Sequence, residues 1–329
     1  MKIIKILCIA LIVSSGNMFA QQEEQKSGKT NTNKFRQLYD EFSTPNMFRT
    51  GSGAPGPAYY QQQADYVIDI ELDEKNKRIH GFETITYTNN SPDALNYLWI
   101  QLDQNRRAKD SKSPLIETST ITEAQIVSDF TKSFLKEPFD GGFNIEEVKD
   151  INGNVLAFTI NRTMMRVELP EPMQLGSEFS FSIKWWYNIN NHVTVKGRSG
   201  YEDFPDGNSN FVIAQFYPRM AVYNDVEGWQ NMQFWGSGEF ALPFGNFEVN
   251  ITVPADHILE ATGSLLNRNE VFTPIQLARY ALAEKSFDKP VIVVTQAEAE
   301  AAMALPLTTP APNTQCLRHP LPSTNRPRP

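Results

Sequence analysis

The stretch Tyr66–Leu102, YVIDIELDEKNKRIHGFETITYTNNSPDALNYLWIQL, contains the clearest secondary-structure signal in the chain. Over its first eight positions, one apolar or aromatic set alternates with Val67 and three acidic residues, which is the pattern of a half-buried strand. Turn residues follow, and Arg78–Thr88 is rich in β-branched and aromatic residues, which favours a second strand. Leu95–Leu102 is apolar on both faces, so we predict that this third strand lies between two layers. Together the three segments predict a β-meander.

Short strand-like segments, separated by turn residues, continue through much of the remaining chain. They are Phe143–Asp150, Val155–Ile160, Met164–Leu169, Phe179–Tyr187 and Phe247–Val253. This spacing is typical of an all-β sandwich or a large curled sheet. Thr273 and Pro274 are the preferred first residues of a helix that reaches about Phe287. We therefore predict a mainly all-β fold, with large bent antiparallel sheets and short peripheral helices.

Three further segments carry weaker predictions. Residues 103–120 are polar and charged, so we expect a surface loop. Val291–Thr295 is a continuous apolar run, which predicts a buried strand. Gln296–Ala304 is rich in alanine and predicts a second helical segment.

Composition and charge limit the possible functions of the chain. The sequence has 329 residues, of which 40% are apolar and 11% aromatic, so a sizeable core can form. The formal net charge is -8 and the sequence pI is about 5.2. No basic stripe remains to bind phosphates, so we expect no nucleic acid partner.

The N-terminus has the architecture of a secretory signal peptide. Lys2 and Lys5 precede the apolar run Ile6–Val13, and small or polar residues continue to Ala20. This apolar run is too short to span a bilayer. We predict a signal peptide at residues 1–20, export to the periplasm or the cell exterior, and no membrane span after cleavage.

Residues 21–60 are predicted to be a flexible leader followed by a loop. Gly51–Gly56 matches the Gly-x-Gly-x-x-Gly pattern of nucleotide-binding turns, but it follows no strand. Pro55 and Pro57 oppose the continuous helix whose N-terminus would hold a pyrophosphate. A plain loop is therefore the favoured interpretation.

Residues 306–329 depart from the rest of the chain. Seven of these twenty-four residues are proline, none is acidic, and the segment has no apolar period. Such a composition does not bury a core. Two interpretations remain open: a disordered tail, or a chain that has left its native reading frame near Thr309.

The sequence contains no motif typical of a zinc hydrolase or of a serine nucleophile. None of the four histidines has a second histidine four residues away with an adjacent glutamate, which is the spacing of a zinc hydrolase helix. The serines lack the Gly-x-Ser-x-Gly pattern of a nucleophile elbow. We therefore predict no catalytic residue, no metal ligand and no cofactor in this chain.

Aromatic residues are abundant and allow two interpretations. Trp185–Tyr187, Trp229 and Trp235 could form a platform on which sugar rings stack. Most aromatic side chains of a β domain fill its core instead, and we favour that interpretation.

The stretch Gln215–Glu239, QFYPRMAVYNDVEGWQNMQFWGSGE, interleaves aromatic, proline, arginine and turn residues between two sets of strands. This density is unusual for a loop, and we predict that the stretch is a rim of the sheets or a crossing between them and forms the functional face of the β domain.

Several ordered motifs recur along the chain at characteristic spacing. They are Tyr66–Asp73, Ile79–Gly81, Ile85–Asp93, Gln215–Met220, Tyr223–Asp225, Gly228–Gln230, Gly238–Phe240, Val253–Asp256 and Ala261–Gly263. Together they resemble the N-terminal domain of the family M-one zinc aminopeptidases, the aminopeptidase N and leukotriene hydrolase group, in its secreted bacterial type. The resemblance covers about residues 35–305.

The resemblance implies a β-saddle domain at residues 61–305 that flanks the substrate in an exported zinc aminopeptidase. In that family, a catalytic domain in the same chain carries the zinc-binding helix and a Gly-x-Met-Glu-Asn strand. Neither motif is present in this sequence, so zinc and hydrolysis are expected only in the intact parent. The family also implies that Gln215 contacts the amino end of a peptide substrate, with Tyr217 where several members have an acidic or amide residue.

Two alternatives stay open. The chain could be a stand-alone secreted β module that binds carbohydrate or protein through an aromatic face. It could also be a scaffold that assembles with a separately encoded catalytic chain.

Overall fold

A computed structural model describes residues 45–116, 127, 139–195, 197–238, 241–254, 257–303 and 313–319 of the chain. The predicted signal peptide and the leader up to residue 44 lie outside the described residues, as do residues 304–312 and 320–329. The chain divides into two units, Met1–Tyr59 and Tyr60–Pro329. Within the described residues, no helix has the length and apolar character needed to cross a membrane.

The described part of the first unit, residues 45–59, is a loop closed by its own hydrogen bonds. Asn46 Oδ1 accepts a hydrogen bond from the backbone N–H of Phe48 at 2.8 Å. The N–H of Gly56 donates to the carbonyl of Phe48 at 2.7 Å. A Cβ atom at Gly56 would lie 2.5 Å from the carbonyl oxygen of Met47, so this close approach requires glycine. The glycine-rich segment contains turns and bends without a helix, which confirms the predicted loop.

The second unit is mainly β, with a few short helices, and the predicted fold class is confirmed. Its described strands are β1 (Gln63–Asp73), β2 (Arg78–Thr88), β3 (Leu95–Gln101), β4 (Asn144–Asp150), β5 (Phe158–Asn161), β6 (Met164–Met173), β7 (Glu178–Asn188), β8 (Gly200–Asp203), β9 (Ser209–Val212), β10 (Arg219–Met220), β11 (Tyr223–Asn224), β12 (Gly228–Trp229), β13 (Phe247–Val253), β14 (Ser264–Leu265) and β15 (Asn313–His319). Its described helices are the 3-10 helix η1 (Asp103–Arg107) and the α-helices α1 (Ser113–Ile116), α2 (Arg268–Val271), α3 (Pro274–Ala283) and α4 (Gln296–Met303).

Two larger sheets enclose the core. One has seven strands in the order β14-β15-β13-β1-β2-β7-β4, and the other has four in the order β10-β3-β6-β5. The pairs are antiparallel except for β1 and β13, which run parallel. Parallel neighbours need a long connection instead of a hairpin, and the whole second sheet lies between these two strands in the chain. The large sheet is therefore mixed, whereas the sequence predicted antiparallel sheets.

The predicted meander is wrong at its third strand. β1 and β2 pair over eleven residues, but the other neighbour of β2 is β7, and β3 pairs with β6 and β10 in the second sheet. Asn89 is fully buried in the connection between β2 and β3. Its Nδ2 donates to the carbonyls of Asp93 at 2.8 Å and Met173 at 3.0 Å. These bonds tie the connection to the end of β6, which directs the chain from one sheet to the other.

Alternating side chains of the strands form the core between the sheets. Ile68, Ile85 and Ile183 of the large sheet are fully buried, as are Leu98 and Ile100 of the small sheet. Each fully buried side chain of this size contributes about 1.5–3 kcal/mol to folding. The period-two pattern of Tyr66–Asp73 thus assigned the core-facing positions of β1 correctly.

The predicted helix at Thr273 is confirmed at its start and ends earlier than expected. Thr273 Oγ1 accepts from the N–H of Gln276 at 3.3 Å, and Gln276 Oε1 accepts from the N–H of Thr273 at 2.8 Å. This capping box satisfies two backbone donors. The helix ends at Ala283, and the side chain of Phe287 is 95% exposed.

One other prediction in the C-terminal region is wrong, and one segment of the predicted tail pairs with the large sheet. Val291–Thr295 forms no strand, and its Ile292 is exposed, because no strand edge pairs with this run among the described residues. Asn313–His319, within the predicted tail, forms β15, which pairs antiparallel with all seven residues of β13. An edge strand offers unpaired N–H and C=O groups to any extended segment, so this pairing needs no apolar period in the partner.

Candidate functional site

The candidate site is the segment Gln215–Met220, where the chain crosses between the two larger sheets. The last two residues of this segment form β10, which pairs with β3 of the small sheet. The N–H of Met220 donates to the hydroxyl of Tyr66, on β1 of the large sheet, at 2.9 Å. The segment is therefore bonded to both sheets, which confirms the predicted crossing.

Gln215 has a backbone conformation that is rare for its residue type. Its φ of 52° lies in the left-handed region, which costs about 1–3 kcal/mol for a residue with a side chain. Lys77 and Arg162 share this conformation, but they occupy the turns between β1 and β2 and between β5 and β6. Gln215 lies in no such turn. Its side chain is half-buried, and its amide makes no hydrogen bond to any described residue.

The helix η1 underlies the candidate site, and its burial corrects the prediction of a surface loop at residues 103–120. Asp103, Gln104 and Asn105 are only 1%, 2% and 8% exposed. Gln104 and Asn105 are buried because their amides satisfy the backbone of neighbouring loops, and Asp103 pairs with a guanidinium. Asn105 Nδ2 donates to the carbonyl of Arg162 and Asn105 Oδ1 accepts from the N–H of Phe143, both at 2.7 Å.

Gln104 provides the direct contact between η1 and the candidate site. Its Nε2 donates to the carbonyl of Gln215 at 2.9 Å and to that of Ala214 at 3.2 Å. Its Oε1 accepts from Arg107 Nη1 at 3.0 Å. The buried amide of Gln104 therefore holds the carbonyl before and the carbonyl after the strained Cα atom of Gln215.

A buried ion pair fixes the other end of the segment. Arg219 Nη2 lies 2.6 Å from Asp103 Oδ2, and the two side chains are 13% and 1% exposed. Arg219 Nη2 also lies 3.4 Å from Gln101 Oε1. Little solvent reaches either side chain, so removal of one partner would leave the other charge buried and uncompensated.

Two tyrosine rings pack beneath the segment. Tyr66 and Tyr217 meet edge to face with ring centroids 5.4 Å apart, and Tyr66 stacks on Phe247 at 4.7 Å. Burial raises the pKa of both hydroxyls well above the ordinary value, with Arg219 opposing this effect at Tyr217. Both tyrosines therefore stay neutral at physiological pH and can donate hydrogen bonds.

Glu83 is a buried acidic residue close to these tyrosines that the sequence analysis did not single out. It lies on β2 opposite Ile68 and Ile183, is 0% exposed, and has no hydrogen-bond partner for either carboxyl oxygen among the described residues. Burial raises the pKa of its carboxyl well above the ordinary value. The alternation of β2 contained the signal, because Glu83 shares the phase of the buried Ile85 and Tyr87.

We expect Glu83 to make folding stability fall as pH rises. Its folded-state pKa exceeds the unfolded value, so the folded protein holds a proton that the unfolded chain releases in that window. The free energy of unfolding should therefore decrease from the ordinary glutamate pKa upward until the raised pKa is passed, by up to about 1.4 kcal/mol per pH unit from this group. Urea denaturation at several pH values should show this slope in the wild type. Glu83→Gln and Glu83→Met should both lack it; an unchanged slope in both variants would contradict the assignment.

The aromatic residues predicted as core or platform differ in burial. Trp185 and Tyr187 are 1% and 2% exposed, which confirms core packing for them. Trp229 packs edge to face on Tyr223 at 5.2 Å. Trp186 is half-buried, and the guanidinium of Arg78 lies 4.4 Å from its ring centroid.

Trp235 is also half-buried and lies 5.5 Å from the guanidinium of Arg162. Trp186 and Trp235 thus each have a guanidinium over the ring. The binding module with an aromatic face stays a prediction.

Histidines do not assemble a metal site within the described part of the chain. No group of three or more histidine, cysteine, aspartate or glutamate residues there is arranged to hold a metal ion. His80 is exposed on β2 beside Trp186, and His257 Nε2 lies 3.9 Å from Glu74 Oε1. The described residues therefore do not fit the zinc ion that the resemblance implies for the parent.

Among known proteins, the chain is similar to several solved structures. No protein-family profile and no curated protein matches the sequence. The chain is similar to an M1 zinc metallopeptidase from Deinococcus radiodurans, with 13% identity, a TM-score of 0.32, and coverage of 63% of this chain and 35% of that one. A mutant of that metallopeptidase, bound to a Tyr-Ser-Ala substrate, gives 12% identity, a TM-score of 0.34, and coverage of 63% and 36%.

A mutant of a two-domain M1 zinc metallopeptidase bound to L-tryptophan gives 12% identity, a TM-score of 0.33, and coverage of 65% and 38%. These three solved structures are M1 zinc metallopeptidases, and this chain covers little more than a third of the length of each.

Proposed function

We propose that this chain is the substrate-flanking β domain of an exported zinc aminopeptidase. Gln215 accepts a hydrogen bond from the free amino group of a peptide N-terminus. The catalytic domain of the intact parent removes the N-terminal residue, and this chain alone hydrolyses nothing. The ordered family-like motifs of the sequence support this proposal.

The conformation of Gln215 carries the proposal. Its side-chain amide has no partner among the described residues, while its backbone is held in a strained conformation by Gln104. Strain of this kind is found where a binding group must be presented in one orientation. An amide oxygen accepts hydrogen bonds from an ammonium group, which supplies only donors. Gln215 would therefore orient a peptide amine and would transfer no proton.

Zinc has no place among the described residues, and no step of the proposal uses it. In the intact parent the catalytic domain would hold the metal, which activates a water molecule for attack on the peptide bond. The contribution of this chain is to bind and orient the substrate.

A titration with short peptides tests the role of Gln215. Trialanine amide with a free amino group should shift the side-chain amide resonances of Gln215 in NMR spectra of the purified chain. Gln215→Met should weaken this binding about tenfold or more, because a hydrogen bond to a charged group contributes about 1.5–3 kcal/mol. Gln215→Glu should strengthen it, because a carboxylate forms a stronger bond with an ammonium group.

The matched control is the same peptide with an acetylated N-terminus, which carries no ammonium group. The acetylated peptide should bind the wild type weakly. Its affinity should not exceed the affinity of the free peptide for Gln215→Met. The proposal would be refuted if both peptides bound the wild type with equal affinity. It would also be refuted if the free peptide bound the wild type and Gln215→Met with equal affinity.

A further inference from the structure

We propose that Gln104 is the positioning residue of the candidate site, and that it holds Gln215 in the conformation that presents its amide. This inference rests on the proposed function for the nature of the ligand. The positioning itself depends only on contacts within the chain.

The hydrogen bonds of Gln104 span two distant parts of the sequence. Its Nε2 donates to the carbonyls of Ala214 and Gln215, which lie 110 and 111 residues further along the chain. The side chain is only 2% exposed, so water does not replace these bonds easily. Without them, nothing described holds the carbonyl of Gln215, and its left-handed backbone would relax to a less strained conformation.

Arg107 fixes the orientation of the Gln104 amide. A guanidinium has only donors, so Arg107 requires Oε1 of Gln104 on its side, where the distance is 3.0 Å. The two carbonyls have only acceptors, so they require Nε2 on the other side. The opposite orientation would set donor against donor and acceptor against acceptor.

Gly197 provides the space for Arg107. A Cβ atom at Gly197 would lie 2.0 Å from Arg107 Nη2, so the guanidinium occupies the place of that missing side chain. Arg107 is thus confined, and its contact with Gln104 is part of a packed arrangement.

The geometry of this arrangement restricts position 104 to glutamine. A glutamate would retain the contact with Arg107 but would set a carboxylate oxygen against two carbonyl oxygens. A methionine would retain the volume and lose both contacts. An asparagine is one methylene shorter and would reach Arg107 or the carbonyls, but not both.

NMR relaxation on the ligand-free full chain tests the inference directly. The backbone order parameter of Gln215 should lie near the rigid value of about 0.85 in the wild type and fall below about 0.6 in Gln104→Met and Gln104→Glu. Trialanine amide should bind both variants at least about tenfold more weakly than the wild type, since the amide would lose its fixed orientation.

The matched control is Gln62→Met, which removes another buried glutamine amide. Gln62 is 4% exposed, and its amide bonds to Asn89 at 3.0 Å and to the N–H of Asn90 at 2.6 Å, away from the candidate site. Gln62→Met should lower stability comparably but leave both the order parameter of Gln215 and peptide affinity unchanged.

The two readouts separate the two proposals. If the order parameter of Gln215 stayed near the rigid value in both Gln104 variants, the positioning role would be refuted, whether or not peptide affinity changed. A similar loosening of Gln215 in Gln62→Met would also overturn it, because the effect would then be global. Loosening confined to the Gln104 variants, together with no peptide binding by the wild type, would support the positioning role and refute the proposed function.

Discussion

Trp185→Ala is expected to lower the free energy of unfolding by about 3–5 kcal/mol, the usual cost of removing a large ring from a packed core. The Trp185 side chain is 1% exposed, meets Phe143 edge to face at 5.4 Å and stacks with Tyr187 at 6.0 Å. Its loss would leave a cavity in the hydrophobic core. Urea denaturation of the full chain measures the effect.

Gly81 provides a sharper test of the same packing. Gly81 pairs with Trp185 across β2 and β7, and a Cβ atom at Gly81 would lie 2.2 Å from Trp185 Cζ2. Gly81→Ala in the wild type should therefore cost about 1–3 kcal/mol through overpacking. In the Trp185→Ala background the ring is gone, so the same change should cost nothing or stabilise by about 0.5–1 kcal/mol, because alanine loses less backbone entropy than glycine in a strand. Additive costs in the double variant would show that the ring does not limit the size of residue 81.

Asp103→Ala is expected to destabilise the chain by about 3–5 kcal/mol, because it leaves the charge of Arg219 buried without its partner. The two side chains are 1% and 13% exposed and lie 2.6 Å apart. The double variant Asp103→Leu, Arg219→Met removes both charges and should recover most of this loss. A double variant as unstable as Asp103→Ala alone would mean that the ion pair is not the cause.

The partly exposed ion pair between Arg279 and Glu298 is a matched control for Asp103. Its nitrogen and oxygen atoms also lie 2.6 Å apart, but the side chains are 29% and 36% exposed. Hydrogen bonding to Arg279, with added bonds from Thr295, lowers the pKa of Glu298 to about 2. Solvent screens this pair, so Glu298→Ala should change the midpoint of urea denaturation little compared with Asp103→Ala.

Local patterns predicted the strands well because they record which face of a segment is apolar. The alternation in β1 identified the strand and the core-facing position of Ile68, and the β-branched and aromatic content of β2 identified the second strand. The Thr273 cap depends on residues three positions apart, so it too was readable from the sequence.

Partner choice was less predictable because it depends on residues far apart in the chain. β3 was expected beside β2 but pairs with β6 and β10, since the buried amide of Asn89 ties the intervening turn to the end of β6. β15 lies in a segment without an apolar period, and its pairing depends on the free edge of β13. Neither contact leaves a periodic signal in the sequence.

The sequence by itself determined the all-β class, the β1 and β2 strands and the loop at Gly51–Gly56. It also singled out the stretch beginning at Gln215 by its dense aromatic and turn residues. Each of these depends on neighbouring residues. Only the tertiary structure decided that Asp103 and Gln104 are buried, that Glu83 faces the core without a hydrogen bond, and that Gln215 is held in a strained conformation. Those features depend on burial and on hydrogen bonds between residues more than a hundred positions apart, and a polar side chain looks the same in a sequence whether water or a distant carbonyl satisfies it.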